Sequence, residues 1–202
     1  GFRDMETKPE VFISASAVGY YGDRGDQPLA ESAAPGDDFL ATVCQEWEDT
    51  AQQAAELGIR VVNPRIGIVL GTDGGALPKL AKLFRLGLGS PLGKGNQWMS
   101  WIHIEDLIEL FLFIAERKEI AGPVNAVSSQ AVTNRQFTKE LGRAVHRPLV
   151  LPSVPGFALR TALGEFANAL LASQKVTPQA ALTAGFLFRH AELREALGNL
   201  LE

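Results

Sequence analysis

Apolar residues recur along this chain with two different periods, and the switches between them outline its elements. Val11-Phe12-Ile13-Ser14 is a short β-type run set off by the charged, proline-bearing stretch from Asp4 to Glu10, and it predicts a buried strand. A glycine-bearing loop follows. From Asp37 the period lengthens: Phe39, Val43, Trp47 and Ala51 recur every fourth residue, flanked by Leu40, Cys44 and Ala54. With Asp37 or Asp38 as N-cap and Gly58 as the stop, this predicts an amphipathic helix. Ile59–Val62 and Ile66–Leu70 return to strand material. The order strand, helix, strand is that of a right-handed parallel crossover and points to an α/β core.

The pattern continues downstream. Gly71 to Gly75 reads as a turn, Ala76 to Leu86 as a helix with Lys79, Lys82 and Arg85 on its polar side, and Gly87 to Gln97 as a loop. Trp98 to Ile104 predicts a strand, Asp106 to Glu116 a helix, Val124 to Val127 a strand, and Thr133 to Val145 another helix. Beyond Pro148, helices broken by Pro152, Pro155, Gly164, Pro178 and Gly185 suggest a smaller helical lobe.

Composition narrows the class. Of 202 residues, 46% are hydrophobic and 21% charged, the balance of a soluble globular protein. The 19 basic and 23 acidic residues are scattered and sum to −4, which argues against a nucleic-acid grip or an anionic membrane surface. One cysteine, Cys44, excludes an internal disulfide framework and suits a reducing, cytoplasmic setting. No apolar run approaches the roughly 20 residues needed to span a bilayer. The chain begins with Gly1 and enters a strand at once, as a fragment of a longer protein would.

Ser14-Ala15-Ser16-Ala17-Val18-Gly19-Tyr20-Tyr21-Gly22 is a strand running into a serine-rich turn and an aromatic-glycine step. It resembles the active-site segment of the extended short-chain dehydrogenase/reductases, the NAD(P)-dependent epimerase/dehydratase superfamily. The helix from Asp38 to Glu48, the segments Pro64-Arg65-Ile66-Gly67, Trp101-Ile102-His103-Ile104-Glu105-Asp106 and Gly122-Pro123-Val124-Asn125 agree in order and spacing. Together they resemble an epimerase-like subgroup whose bacterial members are sometimes labelled cell-division inhibitors.

The resemblance implies the C-terminal part of a Rossmann-like, doubly wound parallel sheet with a small, mostly helical substrate lobe. Residues 1–70 and 104–127 would form the partial NAD(P)-binding domain, and 71–103 with 128–202 the lobe.

It also implies roles. Ser16 matches the serine that hydrogen-bonds the substrate oxygen beside the nicotinamide, with Ser14 and Ala15 one step nearer the cofactor. Serines closing a turn with local bonds are the plainer reading. The superfamily's proton donor is a tyrosine whose pKa is lowered by a lysine four residues later, and that pair is absent. The residues four after Tyr20 and Tyr21 are Arg24 and Gly25, and the helical positions of the pair hold Phe39 and Val43. Tyr20, Tyr21 and His103 are the remaining proton-transfer candidates, or the tyrosines simply pack a loop.

Pro64, Arg65, Ile66 and Gly67 correspond to the strand end that lies against the nicotinamide and its ribose, with Gly67 allowing close approach to a ligand. The glycine fingerprint that grips a pyrophosphate is missing; Gly87, Gly89 and Gly93 follow a helix at the wrong spacing. In the family the fingerprint lies upstream, so roughly the first third of the protein is expected to precede this chain. The cofactor implied is NADP, with NAD possible.

Gln97, Trp98, Trp101 and His103 fall in the region that relatives place over the substrate cleft, where amides and aromatic faces suit a polar ring compound. Trp98 and Trp101 would alternatively anchor one lobe on the other, and His103 or Asp106 would cap the next helix. His146 and His190 share no ligand spacing with His103, so no metal site is expected.

The reading is an NAD(P)-dependent epimerase/dehydratase-like oxidoreductase acting by hydride transfer on a sugar-nucleotide-like or carbonyl small molecule. Its rival is an inactive NADP(H)-binding redox sensor. A homodimer through the 38–57 helix is expected, with Trp47 largely buried.

Overall fold

The computed structural model describes residues 1–164 and 166–201. Its strands are β1 (Val11–Ile13), β2 (Ser16–Ala17), β3 (Pro28–Leu29), β4 (Arg60–Ile66), β5 (Ile68–Leu70), β6 (Trp98–Met99), β7 (Trp101–His103), β8 (Gly122–Ala126), β9 (Val132–Thr133) and β10 (Lys175–Val176). Its helices are α1 (Phe39–Gln52), α2 (Leu77–Arg85), α3 (Ile104–Glu116), α4 (Asn134–Ala144), α5 (Gly156–Leu163), α6 (Phe166–Leu171), α7 (Gln179–Thr183) and α8 (Leu193–Leu201).

The main sheet is parallel and centred on β4. Its seven residues carry the apolar Val61 and Val62 and are buried over nearly their whole length, as a strand covered on both faces must be. β1 pairs with β4 at Val11↔Arg60 to Ile13↔Val62, and β2 continues the same register at Ser16↔Arg65 and Ala17↔Ile66. They are therefore one strand interrupted at Ser14-Ala15. β8 covers the opposite edge, from Val62↔Gly122 to Ile66↔Ala126. Three polar residues, Ser16, Arg65 and Asn125, consequently stand in one row across three strands.

Helix α1 starts at one of the two caps that the sequence offers, and α3 starts at Ile104, two residues before the expected Asp106, with His103 as its cap. Asp38 accepts from the Ala41 N–H at 2.8 Å and opens α1, and Gly58 closes the following turn in the left-handed region. Thr133 and Gln136 form a reciprocal capping box on α4. Leu110 and Ile114 of α3 pack with Val62, Ile102, Val124 and Phe186 in one core. A second core joins Leu70, Leu77, Phe84, Trp101, Phe137, Leu141 and Leu197, drawing α2, α4 and α8 together.

The expected strand 66–70 breaks at Gly67. A Cβ there would lie 2.6 Å from the Ser100 carbonyl oxygen and 2.9 Å from Val127 Cγ1, so the packing of the chain itself already requires glycine at this position.

The face of α1 also differs from expectation. Its small residues, Ala41, Cys44 and Ala51, turn inward, while Phe39 (78% exposed), Leu40 and Trp47 (54% exposed) face outward. Small side chains let the helix lie close to the sheet, which carries the large ones to the rim. Among the described residues no helix is long and apolar enough to cross a membrane.

Candidate functional site

The polar row across β2, β4 and β8 is closed from above by α1 and by the short turn of helix at Val18–Tyr21. Arg65 is 3% exposed and points up from the sheet. Its Nε donates to Glu48 Oε1 at 2.9 Å and its Nη2 to Glu48 Oε2 at 2.8 Å, a bidentate pair with a carboxylate from α1. Nη1 donates to the Tyr21 hydroxyl at 3.0 Å, and the guanidinium carbon stacks 3.4 Å from the centre of the Tyr20 ring. Burial works against the charge of Arg65, but the bonds from Glu48 and Tyr21 outweigh it and hold the pKa above its ordinary value.

The network runs outward on both sides. The Tyr21 hydroxyl donates to Asn125 Oδ1 at 2.7 Å, and Asn125 Nδ2 donates to the Thr177 carbonyl at 2.8 Å. Glu31 Oε1 accepts from the Asn125 and Ala180 backbone N–H groups, both at 3.0 Å. On the other side Ser16 Oγ donates to Glu48 Oε1 at 2.7 Å. Burial pushes the Tyr21 hydroxyl up from its usual range, with Arg65 opposing, and likewise pushes up the Cys44 thiol beside Ser16.

These contacts reassign several expected roles. Ser16 is 5% exposed with its proton committed to Glu48, and Tyr21 is fully buried with its proton committed to Asn125. Neither residue lines a described cavity: Ser16 on β2 is bonded to Glu48 of α1, and Tyr21 on the turn that follows is bonded to Arg65 and Asn125. Arg65 is saturated by Glu48, Tyr21 and Tyr20, so it has no free fork for an anion. Pro64 is buried within β4 and Ile66 half-buried at its end. Tyr20 differs: it is half-buried, and its hydroxyl has no hydrogen-bond partner among the described residues. Glu48, Glu31 and Asn125 were not singled out by sequence. A signal for Glu48 exists in the sequence, because it lies one turn beyond Cys44 and two beyond Ala41 on the inward side of α1.

Beside the network, at the break between β1 and β2, Ser14 and Ala15 line an open cavity of about 430 Å³ with Phe12, Trp47, Thr50 and Ala51. Ser14 is half-buried and its hydroxyl has no partner among the described residues, while its carbonyl accepts from Asn63 Nδ2 at 3.3 Å. The free hydroxyl at the strand end is therefore that of Ser14.

The four residues expected around substrate are spent inside the chain. Gln97 is buried and donates to the Leu92 carbonyl at 3.2 Å. Trp98 Nε1 donates to Asp26 at 2.7 Å with Lys175 against its ring, and fully buried Trp101 donates to the Gln130 carbonyl at 2.9 Å. The fully buried His103 caps α3: its Nδ1 accepts from the Glu105 N–H at 3.1 Å and its Nε2 lies 3.1 Å from Asn199 Oδ1. Contrary to the sequence spacing, the fold brings His190 onto it, ring centres 3.8 Å apart, with His190 Nε2 3.0 Å from Glu105. His103, Glu105 and His190 offer ligand atoms within 4.8 Å of one another, but both ring nitrogens of His103 are already engaged.

Comparison with known proteins adds the family context. The model of the NAD dependent epimerase/dehydratase family matches residues 3–126, and that of a domain of unknown function (DUF1731) matches 154–200. An epimerase family protein of Mycobacterium leprae is 43% identical over 193 residues, covering 95% of this chain and 62% of that protein. Epimerase family protein YfhF of Bacillus subtilis is 39% identical over 200 residues, 98% of this chain and 65% of its own length. The chain thus spans less than two thirds of either relative. The crystal structure of human epimerase family protein SDR39U1 (isoform2) with NADPH superposes with a TM-score of 0.91 at 32% identity, over 99% of this chain and 68% of that one. UDP-glucose 4-epimerase of Thermus thermophilus, solved in complex with NAD, shares the fold at a TM-score of 0.71 and 15% identity, over 95% and 63% of the two chains.

Proposed function

From the premise that the chain belongs to the NAD dependent epimerase/dehydratase family, we propose that it is the nicotinamide-end portion of an NADP(H)-dependent oxidoreductase. The substrate is a sugar-nucleotide-like or carbonyl compound. The observation that carries this reading is the free Ser14 hydroxyl beside Ala15 at the C-terminal end of a parallel strand, facing an open cavity walled by Trp47. Ligands of open α/β sheets bind at such strand ends. NADPH in the human relative favours the phosphorylated cofactor.

The residues fit such a group. Ser14 supplies a hydrogen bond, Ala15 has only a methyl group and so does not obstruct a flat ring, and Trp47 and Phe12 give it apolar walls. When bound, the cofactor supplies or accepts the hydride at a carbon bearing oxygen.

The chain's part is to hold geometry and move a proton. Ser16, Glu48, Arg65, Tyr21 and Asn125 lock α1 to the sheet as positioning residues. Tyr20, held by Arg65 against its ring and carrying an unpartnered hydroxyl, is the proton donor to the substrate oxygen in reduction and the acceptor in the reverse direction.

The test is consumption of NADPH by full-length protein, followed by absorbance of the reduced nicotinamide, over a panel of aldehydes, ketones and sugar nucleotides. Turnover that Tyr20→Phe abolishes while NADPH binding persists supports the reading. Tight NADPH binding without turnover on any compound overturns it in favour of a sensor.

A further inference from the structure

A second, larger cavity of about 900 Å³ opens below the loop 71–76, between β5, α2, β6, α4, α5 and α6. None of Gln97, Trp98, Trp101 or His103 lines it. Met99 does, together with Leu70, Leu77, Phe84, Phe137 and Leu159. Five of those six are buried, so the apolar surface is the floor of the cavity rather than its rim. Its size is that of a site for a compact organic molecule.

Two polar side chains interrupt this floor. Asn134 is already satisfied: its Oδ1 accepts from the Leu92 N–H at 2.8 Å, and its Nδ2 lies 3.4 Å from the Met99 sulfur. Thr138 is not. It is 3% exposed, lines the cavity from α4, and its hydroxyl has no hydrogen-bond partner among the described residues. The hydroxyl is not a buried orphan: with no partner in the chain it keeps contact with the open space of the cavity, where a ligand oxygen or N–H can meet it.

Charge is confined to the mouth. Asp73 and Lys79 are the charged residues of the lining, and both are exposed. The start of α2 beside them offers weak anion capture, since Pro78 lacks an N–H and Asp73 opposes a negative ligand. A diphosphate would leave water here without a buried cation to meet it.

We propose that this cavity takes an uncharged, largely apolar compound with one oxygen that bonds the Thr138 hydroxyl. Neither Ser14 nor Tyr20 lines this cavity, so the assignment goes beyond the strand-end site and names a ligand class of its own, an apolar aldehyde or ketone rather than a nucleoside-diphosphate sugar. The apolar body fills the space between Phe84, Met99 and Phe137, and Thr138 fixes which end points inward.

The test uses Nile red, an uncharged apolar dye with a carbonyl, whose emission rises on leaving water. It is titrated into the protein without cofactor, so the outcome is independent of NADPH binding. The expected result is saturable binding, displacement by 2-decanone and no displacement by UDP-glucose. Thr138→Val, close in shape, weakens dye and ketone about fivefold. Leu80→Trp, which fills the cavity from α2, abolishes binding, with circular dichroism confirming the fold of each variant. Absence of saturable binding, displacement by UDP-glucose at the concentration of 2-decanone that suffices, or unchanged affinity in both variants overturns the proposal. Dye binding in a protein that does not bind NADPH would still support the assignment of the cavity.

Discussion

Arg65 and Glu48 meet through two hydrogen bonds, 2.9 and 2.8 Å long, with the arginine side chain 3% exposed and the glutamate 13% exposed. One residue belongs to the central strand and the other to α1, so the pair sets the height and rotation of the helix over the sheet. Ser16 adds a third bond to the same carboxylate, at 2.7 Å. Breaking such a pair by deleting one partner leaves a buried charge unmet. Glu48→Ala should therefore cost about 3 to 5 kcal/mol in chemical denaturation. The double variant Glu48→Leu with Arg65→Met should lose much less than the sum of the two singles. Additive losses would show that the pair does not act as a unit.

Trp47 tests the orientation of α1 from its other side. With the ring half-exposed on the cavity wall, Trp47→Ala should change stability by about 1 kcal/mol or less, far below the cost of emptying a core site. A loss of several kcal/mol in the same denaturation measurement would mean that the ring packs inward.

The outward Phe39 and Leu40 bear on assembly. We propose that this face of α1 meets the same face of a second copy, since large apolar residues here are otherwise left in water. Sedimentation should give a dimer for full-length protein and a monomer for Phe39→Glu. A wild-type monomer at high concentration would contradict the pairing.

Acid should loosen the molecule through His103. Burial, and then the charge of His190, hold its pKa below the ordinary 6.5. In the unfolded chain it takes a proton near 6.5, while in the folded chain it stays neutral until the pH is lower. The folded state thus loses stability as the pH falls below about 6.5. His190, Glu105 and Asp106 surround the ring, and Glu105, whose pKa is lowered chiefly by its bond to His190, adds a separate loss at more acid pH. His103→Asn keeps an N-cap acceptor and cannot titrate. Melting temperatures between about pH 7 and 5.5 should fall less steeply in this variant than in the wild type, and equal slopes would exclude His103 as the source.

Much of the fold is legible in the residues. The Asp38 cap, the Gly58 stop, the buried run around Val61-Val62 and the Thr133 box are local signals, and local chemistry decides them. The family resemblance is carried by equally local segments. The site is less legible because its parts are not local. Ser16, Arg65 and Asn125 become neighbours only when three strands pair in register. A one-residue slip would scatter them. The same cause hides the His103–His190 stack, whose members come together through α3 and the segment before α8. The fourfold spacing of Phe39, Val43, Trp47 and Ala51 locates the helix correctly and misleads about its face, because small residues beside the stripe make the closer contact. Trp101 and His103 look like cleft residues by type, yet both are fully buried with their polar atoms satisfied inside the chain.

The central claim is that the strand end at Ser14-Ala15 faces the nicotinamide half of the cofactor. Fluorescence titration of NADPH into full-length protein carrying Ala15→Trp tests it most directly, because Ala15 is exposed and the new indole would fill the cavity without disturbing the core. The account predicts that binding is lost while the melting temperature stays at the wild-type value. NADPH affinity unchanged by that indole would contradict it.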